Sequence, residues 1–448
     1  VNAQLDPASP PTARARPWTL AAAVTAAAVA LALAAFFGEF PELRYDSFHY
    51  YSLSRIVSDG GLGNLQSRVR TYGYPLFLSL CTGFRDADPG TTRAFAFAAQ
   101  LAIYLAACLY AARVAARVFR SEAFFPATYA VTALNPIALI HATEVLTDLL
   151  SAVLLLVAVL LPLEPGKRAR RGFLTFLAAG LAVAVRPANL VVLPALVLVW
   201  LLRARLFGER AGGGLAAGAA AVLLALSPQL YNNVRAYETW TPLVVERLYG
   251  EQVDWGTAML KYGTLVVAGE EPEIAYANPF RPEGVSTPGR FLRESPLGYL
   301  ATLALHGFAL FDHDLPFTYV RNVRPWFRWP IALLNFAFLF LSGAGLVLGL
   351  RDRRRLAPPA RLYFAAAVLV GSFYVALYLP VAVESRFSLP LYAILAPAAI
   401  FGASALRRGP RERTAAAVVA LGAFLVLCAG LSLWISSQAP VLARLAGR

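Results

Sequence analysis

The chain has 448 residues, with 40 Lys+Arg against 26 Asp+Glu and a formal net charge of +14. Its residues are 58% hydrophobic and only 15% charged, and the mean hydropathy is +0.58, whereas soluble domains carry about 25% charge. This excludes a water-soluble enzyme, a disordered chain and a coiled coil, and leaves helices that cross a bilayer. Of the 40 basic residues 38 are Arg, mostly in short clusters between apolar runs. A nucleic-acid binder would gather them on one soluble face, so no nucleic-acid partner is expected. Cys108 and Cys428 lie within apolar runs and Cys81 near an outer loop, which implies no disulfide framework.

In chain order, Thr12–Phe37 joins an Arg pair to an apolar run. That run is longer than the core of a secretory leader, so it reads as an uncleaved signal anchor. A crossing takes about 20 mostly apolar residues. Eleven candidates follow: 18–38, 93–112, 123–140, 144–162, 172–186, 188–202, 212–230, 329–350, 362–380, 387–406 and 414–436. The fifth and sixth are short and share a boundary at Arg186–Pro187.

Orientation follows from the basic residues of short loops, which favour the cytoplasm. Arg14/Arg16, Arg113/Arg117/Arg120, Lys167/Arg168/Arg170/Arg171, Arg203/Arg205/Arg210, Arg351/Arg353/Arg354/Arg355 and Arg407/Arg408/Arg411/Arg413 occupy alternate connections. All become cytoplasmic if the N-terminus is inside, and the C-terminus then lies outside. Pro296–Phe311 is apolar enough to be a span, but a crossing there would turn the Arg cluster at 351–355 outward. It is therefore read as an interfacial helix. Three parts are expected: an N-terminal membrane module over 1–230 with a first outer loop at 39–92, an outer lobe of short helices over 231–328, and C-terminal transmembrane helices over 329–448.

The spans carry almost no internal charge, although intramembrane charges mark most ion-coupled pathways. Glu39, Glu42, Asp46, Glu144, Asp148, Glu238, Glu246 and Glu384 fall at outer ends or in outer loops, as does the acidic stretch Glu270–Glu273. The chemistry is thus expected at the outer interface. In RYDSFHYYSLSRIVSDGG, Asp46 stands where a helix cap belongs. His49 lies one turn on, and Arg55 and Asp59 have i, i+4 ion-pair spacing. Arg70 precedes Tyr74 in RTYGYPLFL, where Gly73 and Pro75 call for a turn. His141, Glu144 and Asp148 would share one helix face, and could ligate a metal, if that segment were continuous past Pro136. Arg186-Pro187 and Glu384-Ser-Arg386 complete the outer set. Each Arg can anchor a helix at headgroup level or hold a phosphate through its planar fork.

The order of RYDSFHYY, GYPLFLSL, NPIALIHATEVLTDLL, AVRPANLVVLP, SPQLYNNVRAYETWTP and ESRFSLPLY, across roughly residues 40–395, resembles the GT-C superfamily of polyprenyl-phosphate-sugar glycosyltransferases. The groups it is most similar to are glycosyltransferase families 39 and 83, the protein O-mannosyltransferases and aminoarabinose-to-lipid A transferases. The resemblance implies an all-α polytopic GT-C-like fold, here with about 11 transmembrane helices and two long outer loops. It makes Asp46 the general base. Where many relatives have Asp-Glu this chain has Asp46-Ser47, so a second carboxylate must come from elsewhere or be absent. Asp148 matches the acidic residue that opens the family's fourth span. Arg186 and Arg386 fall in repeated motifs, and His49, Arg70, Tyr74, Glu144, Asn232, Arg235 and Glu384 join them as substrate-binding candidates. The large soluble C-terminal domain of some members does not follow the last span, which argues against a large single-chain oligosaccharyltransferase.

The implied activity is inverting transfer of a sugar from a polyprenyl-phosphate donor to a hydroxyl on a glycan, lipid or protein. It would take place at the outer face of a bacterial plasma membrane, in contact with membrane lipid. No nucleotide site is expected, no cofactor is assigned, and a divalent metal is left open. The alternatives are a surface-polysaccharide polymerase or ligase, which would not require Asp46, and a non-enzymatic flippase or transport component, which would need a polar route through the spans.

Overall fold

The computed structural model describes residues 15–38, 43–264, 273–313 and 325–439. Arg14, Glu39, Glu42, Glu270 and Glu271, and the lobe segments 265–272 and 314–324, lie outside the described residues. The chain opens with α1 (Ala15–Gly38), α2 (Tyr45–Gly60), α3 (Gly73–Cys81), α4 (Pro89–Val118), α5 (Phe124–Ala133), α6 (Pro136–His141), α7 (Thr147–Leu160) and α8 (Arg168–Val185). It continues through α9 (Val192–Phe207), α10 (Gly212–Tyr237), α11 (Leu248–Ala258), β1 (Met259–Thr264), β2 (Glu273–Ala277), α12 (Pro288–Glu294) and α13 (Pro296–Ala309). It closes with α14 (Pro325–Arg351), α15 (Pro358–Tyr378), α16 (Leu389–Arg408) and α17 (Arg411–Ser437).

The protein is a polytopic helical membrane protein. Among the described residues eight helices are long and apolar enough to cross a bilayer: Trp18–Gly38, Pro89–Val118, Pro187–Phe207, Gly212–Tyr237, Trp329–Arg351, Pro358–Tyr378, Ser385–Arg408 and Arg411–Ser437. The other three of the eleven expected spans are shorter or interrupted. Residues 123–140 break at Asn135, because the residue before a proline is pushed out of helical geometry. The Asn135 Oδ1 accepts from the amides of Ile137 at 3.0 Å and Ala138 at 3.2 Å, and so starts α6 afresh. Residues 144–162 contain α7, only 14 residues long and extended by a 3₁₀ turn to Leu163. Residues 172–186 belong to α8, whose 18 residues open with Arg168, Arg170 and Arg171.

Packing inside the bundle uses small residues, as association in lipid requires close backbone approach. A Cβ at Gly172 of α8 would lie 2.2 Å from the Gly214 carbonyl of α10, so the two helices touch backbone to backbone. The apolar core runs through α4, α7, α8, α9, α15 and α16. α17 and α1 leave most of their apolar surface outward, the orientation lipid rewards.

The lobe between α10 and α14 holds α11, α12 and α13 and, among the described residues, a feature beyond the expected short helices, the antiparallel pair β1–β2 with Tyr262 opposite Ala275. The helix expected to lie in the interface is α13. Its 14 residues make a rod of about 21 Å at 1.5 Å per residue, short of the roughly 30 Å hydrocarbon layer.

Candidate active site

Two groups of charged residues meet at one end of the bundle. The first is built on α2. Arg44 is extended (φ −132°, ψ 154°) and is the N-cap without a side-chain cap bond. Tyr45 follows at φ 46°, a left-handed conformation costing about 1–2 kcal/mol outside glycine. Asp46 is therefore not the cap the spacing suggested. It lies in the first turn, and its Oδ1 sits 2.5 Å from Nη2 of Arg70. The pair is accessible, with side-chain exposures of 33% for Asp46 and 22% for Arg70.

Arg70 is held by what surrounds it. Its guanidinium lies over the Tyr50 ring at 5.4 Å, and its amide donates to Ser67 Oγ at 3.0 Å. Tyr50 meets Tyr74 edge-on at 5.1 Å. Tyr74 is wholly buried and its hydroxyl donates to Gln100 Oε1 at 3.0 Å. The Gln100 Nε2 in turn donates to the Ala142 and Glu144 carbonyls. Tyr74 thus backs the Tyr50 ring that lies against Arg70. Gly73 explains how this segment reaches the second group: a Cβ there would lie 2.5 Å from the Ala184 carbonyl, so α3 starts directly against the end of α8. Tyr72 adds a tie to α10, its amide donating to Gln229 Oε1 at 2.9 Å.

The second group surrounds Asp148, in the first turn of α7, where a carboxylate favours the helix dipole. Asp148 is 2% exposed and ion-paired to Arg186, which occupies the extended junction after α8. Nη1 of Arg386 stands 3.6 Å from the other Asp148 oxygen. Glu384 grips Arg386 with both oxygens, Oε2 to Nε at 2.8 Å and Oε1 to Nη2 at 2.9 Å. The Phe387 ring lies under both guanidiniums, 4.6 Å from Arg186 and 5.6 Å from Arg386.

Electrostatics join the groups. Burial raises the Tyr50 hydroxyl's pKa, while charges from both sides act on it: Arg70 and Asp46 from one, Arg186 and Asp148 from the other. Burial also raises the Glu384 carboxyl, Arg386 pulls it back, and Asp148 and Asp46 push it up again. The Glu384 carboxyl is left raised overall, and the charge of Asp46 is felt there although the two lie far apart in sequence. His141 is 1% exposed beside Asp148, Arg386 and Arg186. Burial lowers its pKa to about 4, so it stands neutral among three charges.

Some sequence expectations are corrected. α6 ends at His141 and α7 starts at Thr147, so His141, Glu144 and Asp148 do not share a helix face. Among the described residues no group of three or more His, Cys, Asp or Glu side chains is arranged to hold a metal ion. Arg55 pairs with Asp86 at 2.9 Å instead of with Asp59. His49 is exposed and makes no hydrogen bond or ion pair among the described residues. Arg235 is exposed on α10, where it packs against Gly63, and Asn232 is buried on the same helix. Also on α10, Gln229 is joined to Asn233 at 2.9 Å, and Asn233 donates to the Thr241 and Leu243 carbonyls. Their i, i+4 spacing was the available signal.

No family model and no curated protein matches the chain. Solved structures of the Archaeoglobus fulgidus oligosaccharyltransferase do. One, a complex with Zn and sulfate, is 14% identical with a TM-score of 0.50, covering 93% of this chain and 53% of its own. A second, tethered to an acceptor peptide containing the NVT sequon, is 14% identical with a TM-score of 0.51, covering 92% and 55%. The third, AglB with an inhibitory peptide and a dolichol-phosphate, is 12% identical with a TM-score of 0.50, covering 93% and 56%. The chain spans about half the length of these proteins. What the likeness shows is the fold, which is GT-C-like.

Proposed function

We propose that the chain is a membrane glycosyltransferase that moves a sugar from a polyprenyl-phosphate donor to a hydroxyl acceptor, with inversion. The observation that carries this reading is the convergence of Asp46–Arg70 with Asp148–Arg186–Arg386–Glu384 around Tyr50 at one end of a GT-C-like bundle. Support comes also from the neighbouring structure that holds a dolichol-phosphate. A donor whose tail stays in the bilayer presents its sugar phosphate at headgroup depth, where a cluster at the ends of membrane helices can meet it.

In this reading Asp46 takes the acceptor's proton as the new C–O bond forms at the sugar carbon, and the bond from that carbon to the phosphate oxygen breaks. The departing polyprenyl phosphate gains negative charge, which Arg186 and Arg386 stabilise. Tyr74 backs the Tyr50 ring that faces Arg70, and Arg70 in turn fixes where the Asp46 carboxylate points. Incubating the purified protein with a panel of polyprenyl-phosphate sugars and candidate acceptors should release polyprenyl phosphate for one donor class. Release from none, or transfer from a water-soluble nucleotide sugar instead, would overturn the reading.

Arg386 gives a second test. Replacing it by Lys should lower transfer by about 10–100-fold, because a point charge loses the hydrogen bonds of a planar fork. Equal activity would make Arg386 an interfacial anchor only. The topology belongs to the same proposal, with the N-terminus and the Arg clusters cytoplasmic and the lobe outside. Position 271, in the acidic stretch, lies outside the described residues; Glu283 is exposed on the lobe and serves instead. In a Cys81→Ser background, Glu283→Cys should react with a membrane-impermeant thiol reagent in intact cells. Labelling only after lysis would invert the topology.

A further inference from the structure

Residues Leu379–Glu384 run from the end of α15 to the 3₁₀ turn that carries Arg386. This stretch includes Pro380, which cannot donate, and its backbone groups need partners because Val381 and Val383 are buried. The outer lobe supplies them from three directions. From α11, the Gln252 carbonyl accepts the Ala382 amide at 3.2 Å. Gly256 of the same helix lies so close that a Cβ there would stand 2.3 Å from the Pro380 carbonyl. From β1, Tyr262 donates to the Val383 carbonyl at 3.0 Å, and Lys261 and Val383 form a parallel bridge. From α13, His306 sets Nδ1 2.6 Å from the Leu379 carbonyl and Nε2 3.1 Å from the Met259 carbonyl. The His306 ring thus sits between the strand and the segment it pairs with, 1% exposed. Both partners are acceptors, so the ring donates to one when neutral and to both when protonated. Lys261 fastens the strand independently, its Nζ donating to the Asp312 carbonyl at 2.6 Å with both residues buried.

We propose that the lobe is a positioning frame for the Glu384–Arg386 segment, and that His306 is the positioning residue that locks it. His306 touches neither Glu384 nor Arg386. It acts through Leu379 and Met259, fixing where the chain enters the turn that sets Arg386 against Asp148 and Glu384 against Arg386. The geometry stands apart from the proposed activity, and only the kinetic part of the test rests on that reading.

The test is hydrogen–deuterium exchange on the purified full chain, with transfer kinetics beside it. His306→Leu removes both contacts, and His306→Gln restores a donor toward Leu379. Gly256→Ala presses on Pro380 without touching His306 and serves should His306→Leu not fold. His306→Leu and Gly256→Ala should exchange about tenfold or more faster across 379–388, since each lost buried hydrogen bond shifts local opening by roughly that factor. Protection of α4 and α8 should stay unchanged, and His306→Gln should recover part of the loss. Donor KM should rise while acceptor KM holds. Unaltered exchange at 379–388 in folded variants, or equal loosening of every helix, would overturn the proposal. Selective loosening in a protein that transfers no sugar would leave the frame standing and fail the glycosyltransferase reading instead.

Discussion

Asp46→Asn is expected to cut sugar transfer by about 10²–10⁴-fold, the usual contribution of a positioned general base. The substitution keeps the side chain's size and removes only its ability to take a proton at neutral pH. Folding should be nearly unaffected, because Asp46 does not cap α2 and its ion pair with Arg70 is partly exposed. Pairs of that kind contribute about 0–1 kcal/mol. Transfer measured on Asp46→Asn and wild-type protein of matched thermal stability decides the matter. Activity within a few-fold of wild type would remove Asp46 from the mechanism and leave Asp148 as the next candidate.

Asp148→Ala should behave in the opposite sense and fail first in stability. Asp148 is buried against Arg186 with Arg386 close behind. Removing the carboxylate leaves the buried Arg186 without its counter-charge, beside an Arg386 that stays paired with Glu384. Breaking one side of a buried pair costs about 3–5 kcal/mol, more than the pair itself contributes. Thermal unfolding in detergent should therefore show a large drop in midpoint for Asp148→Ala and a smaller one for Asp148→Ala combined with Arg186→Ala. An unchanged midpoint in the single variant would mean the cluster is open to water and its charges independent. The two predictions separate roles: Asp46 carries rate with little stability, Asp148 carries stability that the site needs.

Eight of the spans were legible because hydropathy is a local property, summed over neighbours in sequence. The placement of Asp46, Asp148, Arg186 and Arg386 at the ends of apolar runs was legible for the same reason. Which charges pair was not. Arg55 had an i, i+4 partner in Asp59 yet meets Asp86, because a tertiary neighbour competes on equal terms with a local one at the surface. The union of Asp46 with Arg70 and of Asp148 with Arg386 depends on chain closure that no spacing encodes. Spacing does not tell Asn232 from Asn233: Asn233 bonds the Thr241 and Leu243 carbonyls, while Asn232, turned about 100° from it on the helix, is buried on another face. The strand that meets Val383 was not legible either: six residues, paired with β2 and bridged to Val383 at one point, are too short for a periodic pattern.

The most direct measurement is photo-crosslinking with a polyprenyl phosphate that carries a diazirine next to its headgroup, followed by mapping of labelled peptides. The account predicts labels in peptides holding residues 44–50, 68–74, 184–189 or 384–388, competed by unlabelled polyprenyl phosphate. Labels confined to the Arg-rich opposite end, at 113–120 or 351–355, with none in the cluster, would contradict it.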